Sequence, residues 1–441
     1  VIGFVGADGG MLGIEQKYDK YLTGTPGHYI TARDAWGKSM PTKYETYIEA
    51  QDGYQVETTL DLKIQSALET QLEKTYYESN ATNRVTGIVM DVNTGGVLGM
   101  ATYPSFDLNN PYELSDELLT LFSTYMTDTN QARVRENDNY ENFAEMIYNY
   151  NEIKENYETD SEEYQNAYME LLYTLWRNKA VSELYEPGST FKIITTSMAF
   201  EENVITPNTV FTCYDPYSVE GTKIHCHKRG GHGTHEYSYM LQQSCNPTLI
   251  QVAQLVGNEK FYQYFEAYGY TSKTGIDLPA EASPIFHNYS GFNSVELATY
   301  SFGQTFKITP IQQITAVSTV ANGGYLLTPH VVSRITDNDG NVVYSADETP
   351  KRQVVSSEVC ETIAEILEEG VSGNGGAKNT YVPGYKIAAK TGTSELRDVF
   401  DENGNSYLRV GSTVAFAPSD DPQVAVLIVC DEPMVSQMYG A

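Results

Sequence analysis

Three short groups of side chains could do chemistry together if the fold unites them. Ser189-Thr190-Phe191-Lys192 places a hydroxyl three positions before an amine at the start of a helical segment, so both share one face. A serine hydroxyl is a weak nucleophile that needs an adjacent base. Lysine can be that base only if burial or a second cation lowers its pKa from about 10.4 toward neutrality. The helix N-terminus adds free N–H groups and positive potential beside Ser189. Ser244-Cys245-Asn246 supplies a second hydroxyl, able to relay a proton to a leaving amine, and a carboxamide that can donate to an amide carbonyl. Lys390-Thr391-Gly392-Thr393 follows a short apolar run that reads as a strand. There Gly392 would let a substrate backbone approach the strand edge, while the amine and hydroxyls could hold a carboxylate. Each group alone is what an ordinary capped helix, loop or strand would contain. Their order along one chain is the specific signal.

A second constellation leads into the Ser244 motif: Cys213, His225, Cys226, His227, His232, His235 and Cys245. Zinc takes four thiolate or imidazole ligands, and the set selected here is Cys213, Cys226, His232 and Cys245. The spacing is not that of a standard zinc finger. A structural metal there would pin the loop bearing Ser244 and Asn246. A Cys213–Cys226 disulfide, in an oxidising compartment, and free thiols are the other readings. Cys360 and Cys430 lie isolated in apolar runs and read as buried core thiols.

The elements that must position these residues follow from periodicity. Residues 59–79 carry apolar side chains at helical spacing behind Thr59 as the cap, and 85–104 read as two strands joined by an Asn-Thr-Gly-Gly turn. Helices are expected after Ser189, over 309–322 up to Gly323-Gly324, and over 354–371. Two apolar runs near the end, split by Ser-Asp-Asp-Pro, read as an antiparallel hairpin. Strands at both ends with helices between predict an α+β fold, an antiparallel sheet flanked by helices. Residues 113–178 are polar and tyrosine-rich, a helical surface insertion.

The chain has 441 residues, 41% of them hydrophobic, and a net charge of −30. That length suits one large domain plus a smaller one. That charge repels phosphate backbones and argues against nucleic acid as a partner. No apolar run reaches the ~18 residues of a membrane span. The start at Val-Ile-Gly and the end at Tyr-Gly-Ala read as the cut ends of a fragment.

The order Ser-x-x-Lys, Ser-x-Asn, Lys-Thr-Gly is that of serine β-lactamases and penicillin-binding proteins. The strings WRNKAVSELYEPGSTFK, SFGQTFKITPIQ and FAPSDDPQVAVLIVCDEP, with GIEQKYDKYLTGTPG near the start, resemble a class B penicillin-binding protein of the elongation and sporulation branch. The resemblance runs nearly end to end, outside 113–178. It implies the remnant of an N-terminal pedestal domain over 1–54 and a transpeptidase domain over 55–441. It further implies D,D-transpeptidation of peptidoglycan stem peptides, with β-lactams trapping Ser189. In that scheme Lys192 is the base, Ser244 relays the proton, Lys390 supports the network and Asn246 orients the donor. Thr391, Gly392 and Thr393 bind its carboxylate end, and the oxyanion rests on the N–H groups of Ser189 and Thr393. No catalytic cofactor is implied, only the structural zinc. The implied setting is the outer face of the cell membrane, with an N-terminal membrane helix absent from this chain and a membrane glycosyltransferase as partner. No motif for a deacylating glutamate is present, which weighs against a β-lactamase. A β-lactam sensor, a D,D-carboxypeptidase and a scaffold with a dead site are the competing readings.

Overall fold

The computed structural model describes residues 1–30, 36, 46–116, 118–120, 143–396 and 408–434. Part of the 113–178 stretch, residues 117 and 121–142, and the C-terminal residues 435–441 lie outside the described residues. The chain folds into two compact units.

The larger unit comprises Leu60–Ile276, Ala280–Pro329 and Glu348–Ala441. At its centre is a five-stranded antiparallel sheet in the order Ala388–Glu395, Arg409–Ala417, Val424–Asp431, Val85–Asp91, Val97–Tyr103. The two terminal strand pairs expected from the sequence thus meet in the middle, and the Lys390 strand lies at an edge. The turn joining the strands of 85–103 is held by the Asp91 carboxylate, which accepts from the N–H groups of Asn93 and Thr94.

Helix Leu62–Ser79 turns Leu68, Leu72 and Tyr76 inward at four-residue spacing. Its cap is Asp61, whose side chain accepts from the N–H groups of Lys63 and Ile64, rather than the expected Thr59. An aspartate two residues nearer the helix takes both orphan donors, so the earlier threonine is not needed there. Helix Pro310–Ala321 is buried at every position and begins with a capping box between Thr309 and Gln312. Helix Lys192–Glu201 is buried from Lys192 through Phe200. Helices Phe143–Asn156 and Glu162–Trp176 lie in the described part of the tyrosine-rich stretch. The unit is α+β, as the strand-helix-strand order predicted.

The segment entering the nucleophile turn is tied to the sheet by buried charges. Lys179 Nζ donates to Glu183 at 2.6 Å and to Asp431 at 2.5 Å, and Arg84 pairs with Glu183. Paired in this way, two cations and two anions avoid the cost of isolated buried charge.

The smaller unit comprises Val1–Thr59, Asp277–Pro279 and His330–Asp347. It holds a three-stranded sheet of Val342–Ser345, Val332–Thr336 and Gln55–Thr58. The Asp277 carboxylate organises it, accepting from Tyr18 Oη at 2.8 Å and from the N–H groups of Val331 and Val332 at 2.7 and 3.0 Å. Near its start are two short helices, Gly13–Lys17 and Asp19–Leu22. Among the described residues no helix is long and apolar enough to cross a membrane.

Candidate active site

Ser189 sits in one turn of 3-10 helix, Gly188–Phe191, and the α-helix takes over only at Lys192. The sequence pattern predicts helix here without distinguishing the two forms. The tighter turn has local causes: the Lys192 N–H bonds the Ser189 carbonyl, and Thr190 Oγ1 donates to the Pro187 carbonyl at 2.8 Å. Positions i and i+3 of such a turn lie on one side of it, which puts Ser189 and Lys192 on the same side.

A buried chain holds the turn. Tyr270 Oη donates to Gln313 Oε1 at 2.9 Å, and Gln313 Nε2 donates to Thr190 Oγ1 at 3.2 Å. Phe191 is enclosed by Phe261, Phe265, Tyr270 and Phe306, with ring centroids 5.0 to 6.3 Å apart. The Gly188 N–H donates to the Gly303 carbonyl at 2.8 Å, and the Thr305 N–H to Glu186 Oε1 at 3.0 Å. None of these supports was singled out from the sequence. Gln313 carries the one available signal, a polar residue amid the apolar pattern of its helix.

Lys192 is fully buried. Its Nζ donates to the Ser244 carbonyl at 2.7 Å, Ser244 Oγ at 3.0 Å and Asn246 Oδ1 at 2.6 Å. Burial pushes the amine down to about 7, against an upward effect from the sulfurs of Cys245 and Cys226. Lys390 is also buried, donating to the Thr391 carbonyl at 2.9 Å. Burial first, and then the charge of Lys192, hold it well below the ordinary lysine value.

Ser244 follows helix Tyr237–Gln242 with φ +56°, in the left-handed region. The Cys245 N–H reaches back to the Met240 carbonyl and the Ser244 N–H to the Leu241 carbonyl, the two bonds of a Schellman motif. Glycine is usual at that position. A serine there is backbone strain at the point where its hydroxyl meets Lys192. Cys245 then starts helix Asn246–Val256, whose first residue presents its carboxamide oxygen to Lys192 and keeps its NH₂ as the donating end.

On the edge strand Lys390 and Gly392 are buried while Thr391 and Thr393 are half-buried, the two-residue alternation of a β-strand. Two glycines bring this strand against the nucleophile turn. A Cβ on Gly392 would lie 3.0 Å from the Pro187 carbonyl oxygen and 2.6 Å from Ser412 Oγ. Gly188 has φ +55°, and a Cβ on it would lie 2.8 Å from the Thr393 carbonyl oxygen. Backbone therefore packs on backbone between Gly188-Ser189 and Thr393. The three sequence motifs, distant in the chain, are together in one unit.

Cys213, Cys226, His232 and Cys245 are all buried, and their donor atoms lie within 4.8 Å of one another. Cys226 Sγ is 3.3 Å from His232 Nδ1. All five cysteines are free thiols, so no Cys213–Cys226 disulfide is present. Strands Val210–Cys213 and Gly233–Glu236 pair, placing Cys213 opposite Gly233. Asp215 gathers the intervening loop, accepting from the N–H groups of Cys226 and Gly230 at 3.0 Å each and lying 3.2 Å from His225 Nδ1. Thr248 Oγ1 donates to Cys245 Sγ at 3.2 Å. Three thiols and one imidazole are the donor types that zinc prefers. A tetrahedral site with bonds near 2.3 Å needs donors roughly 3.7 Å apart, so the cluster fits with a small contraction.

A family model described as penicillin binding protein transpeptidase domain matches residues 85–441. Stage V sporulation protein D of Bacillus subtilis is 32% identical, aligned over 100% of this chain and 59% of its own length. Peptidoglycan D,D-transpeptidase FtsI of Escherichia coli is 23% identical, over 100% of this chain and 62% of its own. The chain thus spans about three-fifths of these relatives. Penicillin binding protein 3 from Mycobacterium tuberculosis has the same fold, with a TM-score of 0.74 at 22% identity, over 99% of this chain and 82% of that one.

Proposed function

Since the chain belongs to the penicillin-binding protein transpeptidase domain family, we propose that it cross-links peptidoglycan stem peptides through an acyl-enzyme on Ser189. The observation that carries this reading is the buried Lys192 amine, three residues after Ser189 and bonded to Ser244 and Asn246.

Ser189 Oγ attacks the carbonyl of the penultimate D-alanine, and the neutral Lys192 amine takes its proton. Negative charge on the carbonyl oxygen falls to the N–H groups of Ser189 and Thr393, whose backbones the two glycines bring together. The C–N bond breaks, and terminal D-alanine leaves with a proton relayed through Ser244. An amine from a second stem peptide then attacks the ester. It forms the new amide, and Ser189 recovers its proton. Asn246 orients the donor, Thr391 and Thr393 hold its carboxylate with Gly392 leaving room, and Lys390 supports the network electrostatically, while burial is what keeps Lys192 neutral.

β-Lactams resemble the same donor and acylate the same serine. No catalytic cofactor takes part. The Cys213, Cys226, His232 and Cys245 set would hold a structural zinc that fixes the junction carrying Ser244 and Asn246. Residues 1–54 are read as the remnant of a pedestal module and 55–441 as the transpeptidase domain, with 113–178 as its insertion. The setting is outside the cell membrane, on a chain anchored by an N-terminal helix and paired with a glycosyltransferase. These readings follow from the family and from relatives longer than this chain.

Intact-mass measurement after exposure to penicillin tests the assignment. One covalent adduct per chain is expected, and Ser189→Ala should abolish it. An adduct that persists in Ser189→Ala rejects Ser189 as the nucleophile.

A further inference from the structure

Side chains alternate along the edge strand Ala388–Glu395, so Glu395 shares a face with Thr391 and Thr393. Exposure grows along that face, from the two half-buried threonines to the exposed glutamate. Its two ends differ. Beside Thr391 a loop closes it, since a Cβ on Gly376 would lie 3.8 Å from Thr391 Oγ1. That loop is bonded to the segment leading into Ser244. The Gly376 N–H donates to the Gln242 carbonyl at 2.9 Å, and Gln243 Nε2 to the Asn374 carbonyl at 3.0 Å. At the other end Glu395 is the register partner of Arg409, whose guanidinium meets Glu395 Oε1 at 3.3 Å. Among the described residues the second oxygen, Oε2, has no partner, and 45% of the Glu395 side chain is exposed.

The geometry points to Glu395 as the group that receives a side-chain amine of the stem peptide, on the diamino acid residue just before the two terminal D-alanines. The inference rests on the reading of Ser189 as nucleophile, and it names the donor class for that site: stem peptides with a free amine at that residue. A donor whose carboxylate is held by Thr391 and Thr393 ends against the closing loop. With its reacting carbonyl at the Thr393 N–H, the upstream part of the peptide leaves past Thr393, antiparallel to the strand and toward Glu395. From Thr393 to Glu395 is two residues, about 7 Å. One extended residue upstream of the penultimate D-alanine covers about half of that distance, and the four-carbon stem of an amine side chain spans the rest. There the ammonium meets an open carboxylate oxygen and forms a charge-assisted hydrogen bond. The net charge of −30 on the chain favours a cation at this exposed end.

The test uses two stem-peptide thioester donors that differ only at that residue, lysine in one and the amine-free norleucine in the other. The unsubstituted chain should turn over the lysine donor with a kcat/KM about fivefold higher, chiefly through KM, and added salt should narrow the margin. Glu395→Gln should bring the ratio to about one, and Glu395→Lys should invert it, because like charges repel. The ratio within one variant is independent of how much of that chain is active, and thermal melting checks that each variant is folded. A ratio near one in the unsubstituted chain, or one that survives in Glu395→Gln, would overturn the proposal. Penicillin adduct formation by the unsubstituted chain is measured in parallel. An adduct without a lysine preference removes this inference alone, whereas no adduct removes the Ser189 assignment and this inference with it.

Discussion

Lys192 faces three oxygen atoms and no carboxylate among its hydrogen-bond partners, which sets how its charge responds to pH. A carboxylate partner would hold the proton on, whereas burial favours its loss. Burial wins here, with the pKa lowered to about 7. The sign follows: below that value the amine is protonated and cannot accept from Ser189, and above it the base is free. Penicillin acylation should rise as pH climbs through about 7 and fall close to tenfold per unit on the acid side. Stopped-flow acylation rates across about pH 5 to 8 check this, and a flat profile would contradict it. Lys192→Met should lower the rate by roughly 10²- to 10⁴-fold and erase the acid limb, leaving only the hydrogen-bond and electrostatic contributions of the site.

At the scale of elements, a 3-10 turn and an edge strand touch through glycines. Gly392→Ala is a steric test of that contact. The new Cβ meets Ser412 Oγ, which can rotate away, and the Pro187 carbonyl, which cannot without moving the nucleophile turn. The expected result is acylation slower by at least about tenfold with only a modest loss of stability. Thermal melting beside acylation kinetics separates the two effects, and wild-type rates in a stably folded variant would refute the packing account. Much at this scale was legible beforehand. Alternation and turn residues disclosed the strands at both ends, and the run of residues 310–321 up to Gly323-Gly324 disclosed a helix. The cap at Asp61 rather than Thr59, and the 3-10 form of the Ser189 turn, were not legible. Both depend on which of several nearby hydrogen-bonding groups wins, and in the turn the Thr190 hydroxyl that bonds the Pro187 carbonyl also accepts from Gln313, over a hundred residues away.

At the scale of the whole molecule, one junction carries two demands. Residues 244–246 serve the acyl-transfer cleft on one side, while Cys245 between them belongs to the cysteine–histidine cluster. A bound metal should therefore stabilise fold and site together, because it binds only where the four donors have been gathered. Chain purified without added metal should contain about one zinc. Removal by a chelator should lower the melting temperature by about 5 °C or more and slow penicillin acylation. Zinc near zero in chain that acylates normally would exclude the metal.

Residue types and order by themselves determined the reacting groups: a hydroxyl spaced for a lysine, a serine–asparagine pair, and a Lys-Thr-Gly strand. Local rules of periodicity, capping and turn chemistry act over a few residues, so these features can be read without coordinates. Only the tertiary structure decided that Lys192 loses its proton near neutrality, that the Lys390 strand lies at a sheet edge, and that the donor atoms of Cys213, Cys226, His232 and Cys245 lie within 4.8 Å of one another. Each of those depends on exclusion of water or on directions set by distant backbone, and such fields and packings are properties of the assembled chain.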